Sequence, residues 1–297
     1  MTRVTIAIAL LSVVAAVVAW RMEHRLYLDP RWQVPTVTVL DAGAEPRAAL
    51  RYQHTTPPRP FTSVTQEALI TFRGVLQGEE SRTPPILLHW EPAASERSWG
   101  VSTTHWRLAA AEGAQELVGA VWIVRVGKNG QLRIEPPGDM APSAAKLAER
   151  LRRVLAWTLA VPLPDESVGK GARWTATWRA PVGVGTDVEH VATYALNDSN
   201  RAGVDLDVTC RLSGQPQRPA EHVVVDEIEG DYAGRIVLLL EEATPVQTEL
   251  AFRSGMATVE AASDSGPPTD EERRRGNKIV WRGRLLLQAD AIGPLHW

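Results

Sequence analysis

Cysteine occurs once in the 297 residues, at Cys210. A single thiol excludes an internal disulfide, and no cysteine stands beside the N-terminal apolar stretch to carry a lipid, so the chain is not a conventional lipoprotein. Basic excess is also lacking: the net charge is -3 with 23% charged residues, which gives no footprint for a nucleic-acid partner. Catalytic signatures are missing as well. There is no nucleophile-elbow pattern around a serine, no His-Glu-x-x-His and no dinucleotide fingerprint. Gly169-Lys170-Gly171 is too short for a phosphate loop and lacks the strand-then-helix context, while Gly183 and Gly185 read as a turn. The seven histidines, His24, His54, His89, His105, His190, His222 and His296, show no paired ligand spacing. The sequence therefore points away from an enzyme, and to no catalytic residues, no metal and no cofactor.

Long apolar runs are scarce too, with one exception. Val4 to Trp20 is almost unbroken after Met-Thr-Arg. Its 17 residues lie at the low end of the roughly 17 to 25 that span a bilayer and exceed the usual apolar region of a cleaved signal. Two readings stand: an uncleaved signal anchor, which the length favours, or a signal peptide cleaved near Ala19. Arg3 gives a weak cytoplasmic bias that Arg21 and Arg25 blunt. Either reading places the body of the chain outside the cytoplasm, in the cell envelope or periplasm. Residues 22–46 carry Asp-Pro, Val-Pro and Glu-Pro breaks around one β-prone piece, Thr36 to Leu40, and read as a tether.

Beyond it, β-prone segments at 48–54, 67–76, 85–91, 99–109 and 116–127 alternate with Pro- or Gly-containing pieces. Residues 121–126 and 131–135 flank Lys128-Asn129-Gly130, and Asn-Gly tolerates the positive φ of a tight turn, so a hairpin is expected. From Pro142 to Leu159 the period changes. Leu147, Leu151, Val154, Leu155 and Leu159 fall at helical spacing, opposite Lys146, Glu149, Arg150, Arg152 and Arg153. That charged face reads as a solvated outer face. Strands are then expected near 174–180, 188–196, 204–212, 222–229, 234–240, 246–253 and 278–288. Arg235 to Leu240 reads as a central strand, and the polar stretch 261–277 as a mobile loop. The expected fold is mainly β: one large curved antiparallel sheet or open half-barrel with a packed helix at about 142–159, plus the N-terminal apolar helix. Residues 47–297 form a single domain whose halves join at about 160–172.

The residues that invite chemistry have bland alternatives. Asp205 and Asp207 share a strand face, as a glycosidase pair or calcium site would require, but their alternation with Val204, Leu206 and Val208 favours solvated strand charges. Asp165 and Glu166 sit in Pro-Leu-Pro-Asp-Glu, ordinary turn punctuation. Cys210 alternates with Val208 and Leu212 and reads as a buried, inert thiol; His190, on the apolar face near Tyr194, reads as a core histidine. Tryptophan is the oddity, with 11 copies against 3 Phe and 4 Tyr. Trp122, Trp174, Trp178 and Trp281 lie on expected strands. Indoles lining a concave sheet suit a lipid or other apolar ligand, although a filled core uses them equally well.

Leu163-Pro164-Asp165-Glu166-Ser167-Val168-Gly169-Lys170-Gly171-Ala172-Arg173-Trp174 resembles a Leu-Pro-x-Glu-x-Val-Gly-x-Gly-Ala-x-Trp motif of exported bacterial envelope proteins of unknown function. In those proteins a strand, a turn and a strand ending in Pro-Pro lead into a helix, then this motif, then a β-rich half. More loosely, a curved sheet wrapped around a helix resembles the periplasmic lipoprotein-carrier fold, which implies shelter for acyl chains and fixes no site. Two function classes follow. One is a non-catalytic binding module for a lipid or other apolar ligand. The other is a membrane-anchored structural or assembly protein that meets an envelope partner through sheet edges or the 261–277 loop.

Overall fold

The computed structural model describes residues 34–290, apart from 74–76, 99, 139, 182–186, 200–202, 221–222, 243 and 261–268. The apolar run Val4 to Trp20, with the expected anchor or signal and its helix, lies outside the described residues. Among those residues no helix is long and apolar enough to cross a membrane.

Period-two alternation dominates, and the strands it builds assemble into one antiparallel sheet. In the first half they are β1 (Thr36–Asp41), β3 (Phe61–Arg73), β4 (Gly78–Ser98), β5 (Val101–Glu112), β6 (Val121–Gly127) and β7 (Leu132–Glu135). In the second they are β9 (Arg173–Pro181), β10 (Asp187–Ser199), β11 (Gly203–Gly214), β12 (Gln217–Ala220), β13 (Val223–Leu239), β14 (Pro245–Glu260) and β15 (Asn277–Ala289). Their order is β1-β9-β10-β11-β13-β14-β15-β3-β4-β5-β6-β7, with β12 beside β13, so the sheet is open rather than closed. A two-stranded ribbon pairs β2 (Ala48–Ala49) with β8 (Ser167–Val168). The β-prone piece of the tether is edge strand β1, paired with β9. The last strand returns to the first half: β15 runs antiparallel to β3 from Asn277 opposite Arg73 to Ala289 opposite Phe61.

Helix α1 (Pro142–Thr158) has proline in its first turn, where a missing amide costs nothing. Ala144, Ala148, Leu151 and Leu155 recur on one face and are buried against the sheet. They belong to a single core cluster with Trp90, Trp106 and Trp122 of the first half and Trp174, Leu206 and Leu250 of the second. Phe61 meets the Trp106 ring edge-on at 4.8 Å, and Trp90 meets Trp122 at 4.9 Å. The segment after β2 closes the end of this core: the Tyr52 and Gln53 amides donate to the Lys128 and Leu240 carbonyls.

Several elements differ from the expected ones. Only Ala48–Ala49 of 48–54 is strand, and 116–120 is a 3-10 turn (Gln115–Leu117) with its following residues. Pro84 and Pro85 fall inside β4 instead of breaking it. They sit at a register shift between Thr65 and Glu67 of β3, where no ladder amide is required of them. The two strands expected at 222–229 and 234–240 are one strand, β13, with an irregularity between Asp226 and Glu229. The described part of 261–277 contains a short helix, α2 (Asp270–Arg275). Thr269 accepts from the Glu272 amide while Glu272 accepts from the Thr269 amide, a capping box that the sequence Thr-Asp-Glu-Glu encodes. Arg273 fastens the helix to Asp226 of β13 at 2.9 Å.

Candidate functional site

The four candidate tryptophans divide into two pairs. Trp122 and Trp174 have no exposed surface. Trp174 stacks on Tyr194 at 5.6 Å, and its indole N–H donates to the Pro162 carbonyl at 2.9 Å. Both rings fill the core beneath α1. Trp178 and Trp281 are half-buried, and the register puts them in one line.

That line crosses eight strands. Reading pairwise, Trp178 faces His190, His190 faces Leu212, Leu212 faces Gly230, Gly230 faces Ser254, Ser254 faces Trp281, Trp281 faces Leu69, and Leu69 faces Ser81. All lie on the alternation shared with the buried core residues. From Trp178 to Trp281 the line covers five strand spacings, roughly 24 Å at about 4.8 Å each. Its floor is lowered at Gly230, where an added Cβ would stand 2.9 Å from Ser254 and 2.7 Å from the Arg253 carbonyl oxygen.

Around Trp281 this face is incompletely covered. Leu69 is 41% exposed, and Met256, Ile279 and Ser254 are half-buried. Met256 stands directly opposite Ile279 on the neighbouring strand. The indole N–H of Trp281 donates to the Glu67 carboxylate at 2.8 Å, and Phe252 meets its ring edge-on at 5.2 Å. The indole plane is therefore fixed from two sides while part of its surface stays accessible. The result is an apolar strip over β14, β15 and β3, joined to the core through Trp281, with Met256 on the smaller Val188, Val225 and Ile228 cluster, and ending at the buried carboxylate of Glu67. Its chemistry is that of a surface for a methylene chain or other apolar group, with one hydrogen-bonding terminus.

The titratable candidates do other things. His190 is fully buried, its ring stacked on Trp178 at 5.0 Å and 17°. Neither ring nitrogen has a partner among the described residues. Burial pushes its pKa down to about 4, so it is neutral at pH 7. Burial likewise pushes the Cys210 thiol up to about 12, which keeps it protonated and unreactive. Asp207 is exposed, but Asp205 departs from the expected solvated pair: it is buried, with Arg235 donating to it from Nε at 2.7 Å. Asp165 accepts from the Asn129 side-chain Nδ2 at 2.6 Å and from Arg51 at 3.2 Å, and the first of these ties its turn to the β6–β7 turn. Among the described residues no three histidine, cysteine or acidic side chains gather closely enough to hold a metal ion.

Leu69, Met256, Ile279 and Ser254 carried no individual signal in the sequence, because only pairing between remote strands brings them to one strip. Glu67 was legible only as an acid inside a strand. No known protein-family model matches the chain, and no characterised protein matches it in sequence.

Proposed function

We propose that this protein is an exported, non-catalytic binding module of the cell envelope that holds an apolar chain, such as the acyl group of a lipid, along the strip formed by Trp281, Leu69, Met256 and Ile279. The observation that carries this reading is an apolar face that stays partly open where the rest of the same face is filled by α1 and its core. Burying a side chain the size of leucine or methionine is worth about 1.5–3 kcal/mol, and a long chain laid along the strip adds several such contacts against the cost of association. The N-terminal run Val4 to Trp20 would provide export and membrane attachment.

The test is titration of the full chain, in a mild detergent below its micellar concentration, with a long-chain fatty acid while indole emission is followed. A saturable emission change is expected, weakened about tenfold, or 1.4 kcal/mol, by Leu69→Gln. Leu69 is exposed enough for that substitution to leave the fold intact. A flat titration, or one unchanged by Leu69→Gln, sinks the proposal. Sequencing of the mature N-terminus decides between anchor and cleaved signal.

A second reading, assembly through sheet edges, draws on β1. Among the described residues it pairs with β9 alone and presents Leu40 at 57% exposure, the kind of edge that accepts a strand from another chain. Crosslinking in cells from a photoreactive group at position 40 should then yield a discrete partner band.

A further inference from the structure

A second feature is a cleft whose charged side chains lie on the alternation opposite the core. It has a volume of about 420 Å³ and lies across β11, β13, β14 and β15. Five charged side chains line it: Arg211, Glu229, Asp231, Arg253 and Lys278. The register explains why they converge. Arg211 faces Asp231, Asp231 faces Arg253, and Arg253 faces Arg282, so one cross-sheet row alternates basic, acidic, basic, basic. In the next row Glu229 faces Gly255 and Gly255 faces Val280. Gly255 opens the floor between them, since an added Cβ there would find nothing nearer than 3.8 Å.

Two features set this cleft apart from ordinary solvated strand charge. Arginines directly opposite one another on neighbouring strands repel, at a cost of a few tenths of a kcal/mol or more. Arg282 is paired with Glu80 at 3.1 Å, whereas Arg253 has Asp231 on the strand opposite but forms no ion pair among the described residues. None of the five lining side chains makes a hydrogen bond or ion pair among the described residues, although acids and bases stand on adjacent strands. All five are exposed. Three cations against two carboxylates leave one positive charge in excess. That balance suits a ligand with one negative charge. Arginine forks match the paired oxygens of a phosphate, and the two carboxylates accept from hydroxyl groups.

We propose that this cleft binds a hydroxylated phosphodiester, a glycerol-phosphate-glycerol group, with Arg211, Arg253 and Lys278 on the phosphate and Glu229 and Asp231 on the hydroxyls. The volume lies within the range of small-molecule sites. The same chemical group occurs free and as a phospholipid headgroup, and the experiment separates those sources. Its charged side chains lie on the alternation opposite that of the apolar strip, although Leu212, Gly230 and Ser254 of the strip's line also contribute to the cleft's lining.

The test uses the full chain in a neutral detergent. Isothermal titration with the free diester glycerophosphoglycerol is compared with titration by mixed micelles of the same detergent carrying phosphatidylglycerol or phosphatidylcholine. Binding of the free diester is expected to weaken at least tenfold in Arg253→Gln and to fall with added salt. In Gly255→Leu, which fills the cleft while keeping every charge, binding should be lost with the melting temperature unchanged. If only phosphatidylglycerol micelles bind, and both variants abolish that binding, the lipid headgroup is the source and the site is upheld. Absence of binding in both arms overturns the proposal. So does binding that survives both variants, or phosphatidylcholine binding equal to that of phosphatidylglycerol.

Discussion

At the scale of the residue, burial decides what each polar or aromatic group does. Trp174 combines zero exposure, a stacked partner and a satisfied N–H, so Trp174→Ala should lower stability by about 3–5 kcal/mol, read from chemical denaturation. His190 sets a pH dependence. Its folded pKa is about 4 against an ordinary 6.5, so the unfolded chain takes up the proton first as pH falls. Its contribution is intact above pH 6.5, is lost progressively between 6.5 and about 4, and does not fall further below that. The full loss is about 3–4 kcal/mol at most, by the usual 1.4 kcal/mol per pH unit. His190→Phe keeps a ring on Trp178 and should flatten the stability profile through this window. His54, which burial also pushes down to about 4, leaves a residual slope. An unaltered profile in the variant would show that His190 does not carry the dependence.

At the scale of the element, the stretch from Pro162 to Trp178 is a structural joint. The Gly169 amide donates to the Ala42 carbonyl and the Ala44 amide donates to the Lys170 carbonyl, both at 2.9 Å, so the motif grips the loop that follows β1. Its two glycines are required for different reasons. Gly171 adopts φ +82°, and an added Cβ there would meet no atom within 4 Å, so Gly171→Ala incurs only the left-handed backbone cost of about 1–2 kcal/mol. Gly169 has no such φ, but a Cβ there would stand 1.8 Å from the Ala44 carbonyl oxygen. Gly169→Ala must push two backbone segments apart and should cost about 3 kcal/mol or more, among the larger single-site effects. Thermal melts of the two variants give the order. Sequence spacing revealed the motif; why it needs glycine at 169 depends on a strand loop 125 residues upstream in the chain, from Ala44 to Gly169, which no local pattern encodes.

At the scale of the whole molecule, the two halves share one sheet and one core. The β15–β3 seam joins residues about as far apart in sequence as Phe61 and Ala289, and α1 packs against residues from both sides. Unfolding should therefore be a single transition, with indole fluorescence and far-ultraviolet circular dichroism coinciding over the denaturant range. Two separated transitions would show that the halves are independent domains. Among the described residues the open order of the sheet leaves β1 as an edge, and it leaves part of the inner face beyond α1 uncovered, which is where the apolar strip lies.

By itself the sequence determined the local elements. The 3.6-residue period of α1, the Asn-Gly turn between β6 and β7 and the alternation of β11 are short-range patterns, each set by which neighbours along the chain share a face. Only the tertiary structure decided which strands pair, and with that which side chains meet. Alternation assigned Trp122, Trp174, Trp178 and Trp281 to strand faces, but what covers a face is supplied by elements far away in the chain. Two of these indoles lie under the packed core, whereas Trp281 lies where the cover ends. The same holds for Asp205, which alternation assigned to solvent and Arg235 of the neighbouring strand drew into a buried pair. The charged cleft exists only because three strands register Arg211, Asp231, Glu229 and Arg253 side by side. Register is a property of pairs of segments, and neither segment alone carries it.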